Sequence, residues 1–151
     1  MKKKHFWVCF ALLLFWILFI FARSAQPNAV STQESESVRQ PLSEIVHSPL
    51  SSVFVRKLAH FTEFSVLGVL AVLLFTILRQ RIPRTFLYAG MLGLSVAFCD
   101  ETIQLFVPGR AGLLTDVWID TAGVIVGASL ALGVRVLWRY YRARKRYDAR
   151  R

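Results

Sequence analysis

Lys57, His60 and Glu63 recur every three residues in an otherwise apolar stretch, so a helix would carry all three on one face. Further along, Asp100 and Glu101 precede Gln104 by four and three residues, and Asp116 precedes Asp120 by four. Arg110 stands between the two groups, directly after Pro108-Gly109, a strong turn signal. These are the residue types of acid–base chemistry. His60 is the natural general acid or base, because an unperturbed imidazole titrates near neutral pH. Glu63, Asp100 and Glu101 are the candidates to orient it or to take the complementary proton role. Lys57, Gln104, Arg110, Asp116 and Asp120 are candidates to hold a substrate, and Arg110 could grip a phosphate or carboxylate with two parallel hydrogen bonds. No covalent nucleophile accompanies His60, since Thr62 points off its face, so acid–base or metal-assisted chemistry outranks acyl-enzyme chemistry. One histidine with several carboxylates and a glutamine could also ligate a divalent ion, the hard ligands favouring Mg²⁺, Mn²⁺ or Ca²⁺. No spacing matches an established zinc motif, no residue is assigned as a metal ligand, and the sequence names no cofactor.

The elements that must position these residues are apolar. The chain has 151 residues, 55% of them hydrophobic, which suits a small polytopic membrane protein better than a soluble domain. An ionisable group at bilayer depth costs about 2.5–3.5 kcal/mol on insertion scales, so it persists where it has a partner, a watery cavity or a task. Four spans are expected: residues 6–22, 58–78, 85–106 and 117–137. The first is read as an N-terminal transmembrane anchor over residues 1–22, with a cleaved signal peptide as the alternative. Its bulky Trp7, Phe10, Phe15, Trp16, Phe19 and Phe21 favour a retained helix. Residues 23–52 are rich in Ser, Gln and Glu and read as a flexible outer loop. Pro49, Ser51 and Ser52 then offer helix-start chemistry ahead of Val53. Residues 53–138 form the membrane core, and residues 139–151 a basic tail.

The net charge of +10 invites a nucleic-acid reading, but most basic residues flank apolar runs. That is the pattern of topology signals and of contacts with anionic lipid, and nucleic acid is not an expected partner. Three lysines open the chain, three arginines fill the turn after residue 78, and eight basic residues follow from Arg135 onward. All fourteen fall on one side of the four-span arrangement, out of nineteen in total. The positive-inside rule places that side, with both termini, in the cytoplasm. Lys57, His60, Glu63, Asp100, Glu101, Gln104, Arg110, Asp116 and Asp120 then gather at the outer face. Asp100 would lie about 20–25 Å from the inner end of a span about 30 Å thick. Gly123 and Gly127 have the GxxxG spacing of close helix packing, and Gly90, Gly93 and Ala97 form a second small face. Cys9 and Cys99 read as small hydrophobes in separate spans. His5 and His47 lie away from the cluster.

The residues Arg56-Lys57-Leu58-Ala59-His60-Phe61-Thr62-Glu63-Phe64, with Leu67-Gly68, resemble the first signature of the VanZ-like family. The segment from Asp100 to Arg110, DETIQLFVPGR, resembles its second, and Asp116-Val117-Trp118-Ile119-Asp120-Thr121-Ala122-Gly123, with Gly127 beyond, its third. The resemblance covers about residues 53–130 and implies a multi-pass protein of the bacterial cell membrane. The family is named for a member associated with low-level resistance to teicoplanin, a glycopeptide that binds cell-wall precursors outside the membrane. The expectation is therefore an all-α, four-helix membrane bundle. Its polar pocket would open outward between the second, third and fourth spans, acting on or binding a cell-envelope component. Expected partners are membrane lipids and a lipid-linked or cell-wall precursor ligand, and an oligomer is compatible with the sequence. Two alternatives stand beside this. One is a small transporter coupled to protons or cations. The other is a structural network, with Lys57 paired to Glu63 and Arg110 to Asp116 or Glu101.

Overall fold

The computed structural model describes residues 2–47 and 49–149, and the described residues form helices and no strands. The helices are α1 (Lys2–Ser24), α2 (Asn28–Val46), α3 (Ser52–Ile77), α4 (Ile82–Leu105) and α5 (Leu114–Asp148). All but α2 are long and apolar enough to cross a membrane. Large apolar side chains cover much of their outer surface, with Phe15 65% exposed and Leu130 65% exposed. In water such a surface would drive association; in a bilayer it is the face that lipid covers.

Local sequence sets the ends of the elements. Ser51 opens α3, its hydroxyl accepting from the Phe54 amide at 3.1 Å, which satisfies one of the orphan donors of a helix start. Pro83 sits in the first turn of α4, where its missing N–H costs nothing. Gly109 takes φ 76° in the turn between α4 and α5, a left-handed backbone that favours glycine.

The stretch expected as a loop contains α2, a helix of 19 residues. Its composition argues only that it cannot bury a core, and α2 buries just Ser31. A helix needs less than that, because its backbone hydrogen bonds are made internally. Arg39 pairs with Glu36 at 2.7 Å on its surface, Glu34 pairs with Arg23 of α1 at 2.9 Å, and α2 rests on α3. The last span also runs further than the sequence suggests. α5 has 35 residues, about 52 Å of helix against a hydrocarbon layer of about 30 Å. The basic tail continues it to Asp148 and is not a separate segment.

Helix α3 packs against α1, α2, α4 and α5, most extensively against α5. Glycine makes that seam possible. A Cβ on Gly127 would collide with the Ser65 carbonyl oxygen, and one on Gly68 with that of Val124. One on Gly123 would fall 2.5 Å from the Phe61 carbonyl oxygen. Phe64, Leu67, Ala97 and Val124 fill the core beside the seam, and Ala71, Val72, Ala89 and Ala128 continue it toward the opposite end of the bundle. Cys9 and Cys99 are both free thiols.

Candidate functional site

The close α3–α5 seam and the antiparallel packing of α4 bring three sequence-distant segments to one end of the bundle. His60 comes from α3, Asp100, Glu101 and Gln104 from α4, and Asp116 and Asp120 from the start of α5. Asp100 and Asp120 are fully buried, and Glu101 and Gln104 nearly so. The His60 Nδ1 lies 3.9 Å from Asp100 Oδ2 and 3.8 Å from Asp120 Oδ1. These separations exceed a hydrogen bond. Neither carboxylate oxygen of Asp120 has a hydrogen-bond partner among the described residues, nor do Asp100 Oδ1 and His60 Nδ1. Gln104 Nε2 donates to Asp100 Oδ2 at 2.9 Å and to Glu101 Oε1 at 3.3 Å. Glu101 Oε2 accepts the Leu113 amide at 2.7 Å, which ties the α4–α5 loop down onto the site.

The structure corrects the expected pairs. Lys57 does not reach Glu63; its ammonium binds Asp116 Oδ1 at 2.8 Å, across to α5. Glu63 instead pairs with Arg23 Nε at 2.9 Å. Spacing on one helix showed that Lys57 and Glu63 share a face, but partners are chosen between helices. Arg110 forms no ion pair with Asp116 or Glu101. Its Nη2 donates to the Arg23 carbonyl at 3.5 Å and its Nε has no partner among the described residues. Burial, and next the nearby Arg56 guanidinium, lower the Arg110 pKa from the ordinary arginine value, although an arginine stays charged in a protein.

Arg23 is the residue the sequence reading left out. It joins α1 to Glu63 on α3 and to Glu34 on α2. Ser24, buried beside it at the end of α1, belongs to the same end of the bundle. Trp16 Nε1 adds a hydrogen bond to the Glu63 carbonyl at 2.9 Å. The available signal was topological: Arg23 ends the first span on the side where the acidic residues collect. The open space also lies elsewhere than expected. The cluster among α3, α4 and α5 is packed, while a groove of about 660 Å³ runs along α1, α2 and α3. Trp16, Phe19, Leu42, Leu58 and Val66 line its apolar part, and Arg23, Glu34 and Glu63 its polar part.

A small multi-pass helical protein is thus defined, with acidic and basic side chains from every span gathered at one end. The family model described as VanZ/LLP1 matches residues 7–138, and the chain belongs to that family. The match begins inside α1, well ahead of the first motif at Arg56, so the helix that supplies Arg23 lies within the family region. No curated protein and no solved structure matches the chain.

Proposed function

We propose that this VanZ-like protein resides in a bacterial cell membrane with both termini in the cytoplasm. Its acidic end faces outward and binds or modifies a lipid-linked component of the cell envelope. The observation that carries the reading is the pairing of an apolar-walled groove with a buried acid–base cluster. Glu63 connects them: it lines the groove and sits one helical turn from His60. A lipid chain suits the apolar wall between α1 and α3, and a polar headgroup suits the end held by Arg23, Glu34 and Glu63. His60 is the proton-transfer group. Glu63, Asp100 and Glu101 orient it or balance its charge, and Lys57, Gln104, Arg110, Asp116 and Asp120 shape the polar surround. The rest of the bundle interior supports this over a transport route, because the core beyond the acidic end is apolar through Ala71, Val72, Ala128 and Leu132.

Reduced glycopeptide susceptibility is the phenotype expected if the bound component is a cell-wall precursor. The test compares cells expressing the wild type with His60→Ala, Glu63→Ala, Glu101→Ala and Arg110→Ala. Glycopeptide susceptibility, surface binding of labelled teicoplanin and membrane level are measured for each. A wild-type effect lost in variants that accumulate normally supports the reading. Absence of any wild-type effect detaches the protein from glycopeptide response, and variants missing from the membrane assign the cluster to helix packing.

A further inference from the structure

We infer that His60, Asp100 and Asp120 form a binding site for one divalent transition-metal cation of the Mn²⁺ or Zn²⁺ class. The three side chains come from α3, α4 and α5, and each offers a ligand atom within 4.8 Å of the other two. A point shared by three atoms so spaced lies no more than about 2.8 Å from each, a small contraction away from metal–ligand distances.

Three further observations point to a cation rather than to a packed polar core. The first is the set of unpartnered atoms. Asp100 and Asp120 are wholly buried, yet Asp100 Oδ1, both Asp120 oxygens and His60 Nδ1 lack a hydrogen-bond partner among the described residues. Buried polar atoms are nearly always satisfied, so His60 Nδ1 facing an Asp120 carboxylate with neither oxygen bonded marks a missing partner. The second is charge. Glu63 is paired with Arg23 and Asp116 with Lys57, while Glu101 accepts the Leu113 amide and the Gln104 side chain. Asp100 and Asp120 are left without a Lys or Arg within ion-pairing distance among the described residues, and a divalent cation beside a neutral imidazole balances them. The third is the support behind the ligands. Gln104 holds Asp100 Oδ2, the oxygen that faces His60, at 2.9 Å, the outer hydrogen bonding that orients ligating carboxylates.

One nitrogen and two carboxylates suit Mn²⁺ or Zn²⁺ better than Mg²⁺ or Ca²⁺, which prefer all-oxygen sets. Three protein ligands also leave coordination positions for a substrate oxygen, as in catalytic metal centres. The site does not depend on the envelope reading, since metal binding is measured without any organic ligand; an ion at His60 holds the imidazole as a neutral ligand and replaces the proton-transfer role given to it above.

The experiment uses the full chain purified in detergent. Metal content is measured by mass spectrometry after desalting, and Mn²⁺, Zn²⁺, Mg²⁺ and Ca²⁺ are titrated separately. The expected result is about one Mn²⁺ or Zn²⁺ per chain, with Mg²⁺ and Ca²⁺ weaker. Asp100→Asn/Asp120→Asn should weaken binding by roughly tenfold or more, as should His60→Gln, while the exposed Glu44→Gln should not change it. A chelator should lower the unfolding temperature of the wild type and leave that of the double variant unchanged. Should the double variant fail to fold, histidine-nitrogen coupling to bound Mn²⁺ in the wild type decides the matter by pulsed electron paramagnetic resonance. A wild type that does not saturate near one ion at roughly millimolar metal overturns the proposal. So does wild-type affinity in the folded double variant, or bound Mn²⁺ without a histidine nitrogen.

Discussion

The two ends of the bundle bury polar groups in opposite ways. At the basic end, half-buried Arg135 reaches from α5 to α3 and α4 and is bonded through both terminal nitrogens. Its Nη1 donates to Thr76 Oγ1 at 3.0 Å and to Thr85 Oγ1 at 3.5 Å, and its Nη2 donates to the Gln80 carbonyl at 3.2 Å. One guanidinium thereby ties α3, the turn after it and α4 to α5. At the acidic end, His60, Asp100 and Asp120 face one another across 3.8–3.9 Å gaps with atoms unpartnered. A satisfied network fixes geometry, whereas unpaired buried polar atoms are costly. The same three helices, α3, α4 and α5, therefore carry a bonded network at one end and an under-bonded one at the other.

The largest expected effect would erase the contrast by collapsing both ends together. Gly127→Ala places a methyl group against the Ser65 carbonyl at the middle of the α3–α5 seam, and should destabilise the bundle by about 3 kcal/mol. Thermal unfolding in detergent would show it, with both ends lost in one transition. Next comes the fastening alone. Arg135→Met takes a donor from the Thr76 and Thr85 hydroxyls and leaves the Gln80 carbonyl only the Thr85 hydroxyl, for about 1 kcal/mol of lost stability. Any activity or metal binding per folded molecule should stay at the wild-type level, which separates fastening from site. Asp120→Asn tests the reverse. With metal chelated, removing an unpartnered buried charge should leave stability unchanged or raise it by about 1 kcal/mol, while the cell-surface phenotype falls. A clear loss of stability in that variant would make the acidic end a fastening too. The smallest effect belongs to Arg39→Ala, which breaks a half-exposed pair with Glu36 on α2 and should shift stability by less than about 0.5 kcal/mol.

Much of this contrast was legible in the chain. Hydropathy located the four spans, and the motif residues fall together as their spacing on separate helices implied. Gly123 and Gly127 of the seam stood at GxxxG spacing, whereas Gly68 on α3 did not. What stayed hidden depends on contacts between helices. Arg135 counts toward the basic side like any other arginine, and nothing in its neighbours announces that it reaches across to α3 and α4. The partners of Lys57 and Glu63 are supplied by α5 and α1, beyond the reach of periodicity on α3. Helix α2 was missed because composition measures the ability to form a core, and α2 forms none. The groove followed from α2, since without that helix its polar wall at Glu34 does not exist.

The order in which the chain is made has a bearing on this architecture. The site draws Arg23 from the first span and Asp120 from the last, and α3 finds its most extensive partner in α5 rather than in the adjacent α4. During synthesis, α3 and α4 enter the membrane carrying His60, Glu63 and Asp100 before the glycine face of α5 exists to receive them. Until the last helix arrives, each ionisable group at bilayer depth costs about 2.5–3.5 kcal/mol on insertion scales. A nascent chain stopped short of residue 114 has every span but the last, and lacks Asp116 and Asp120.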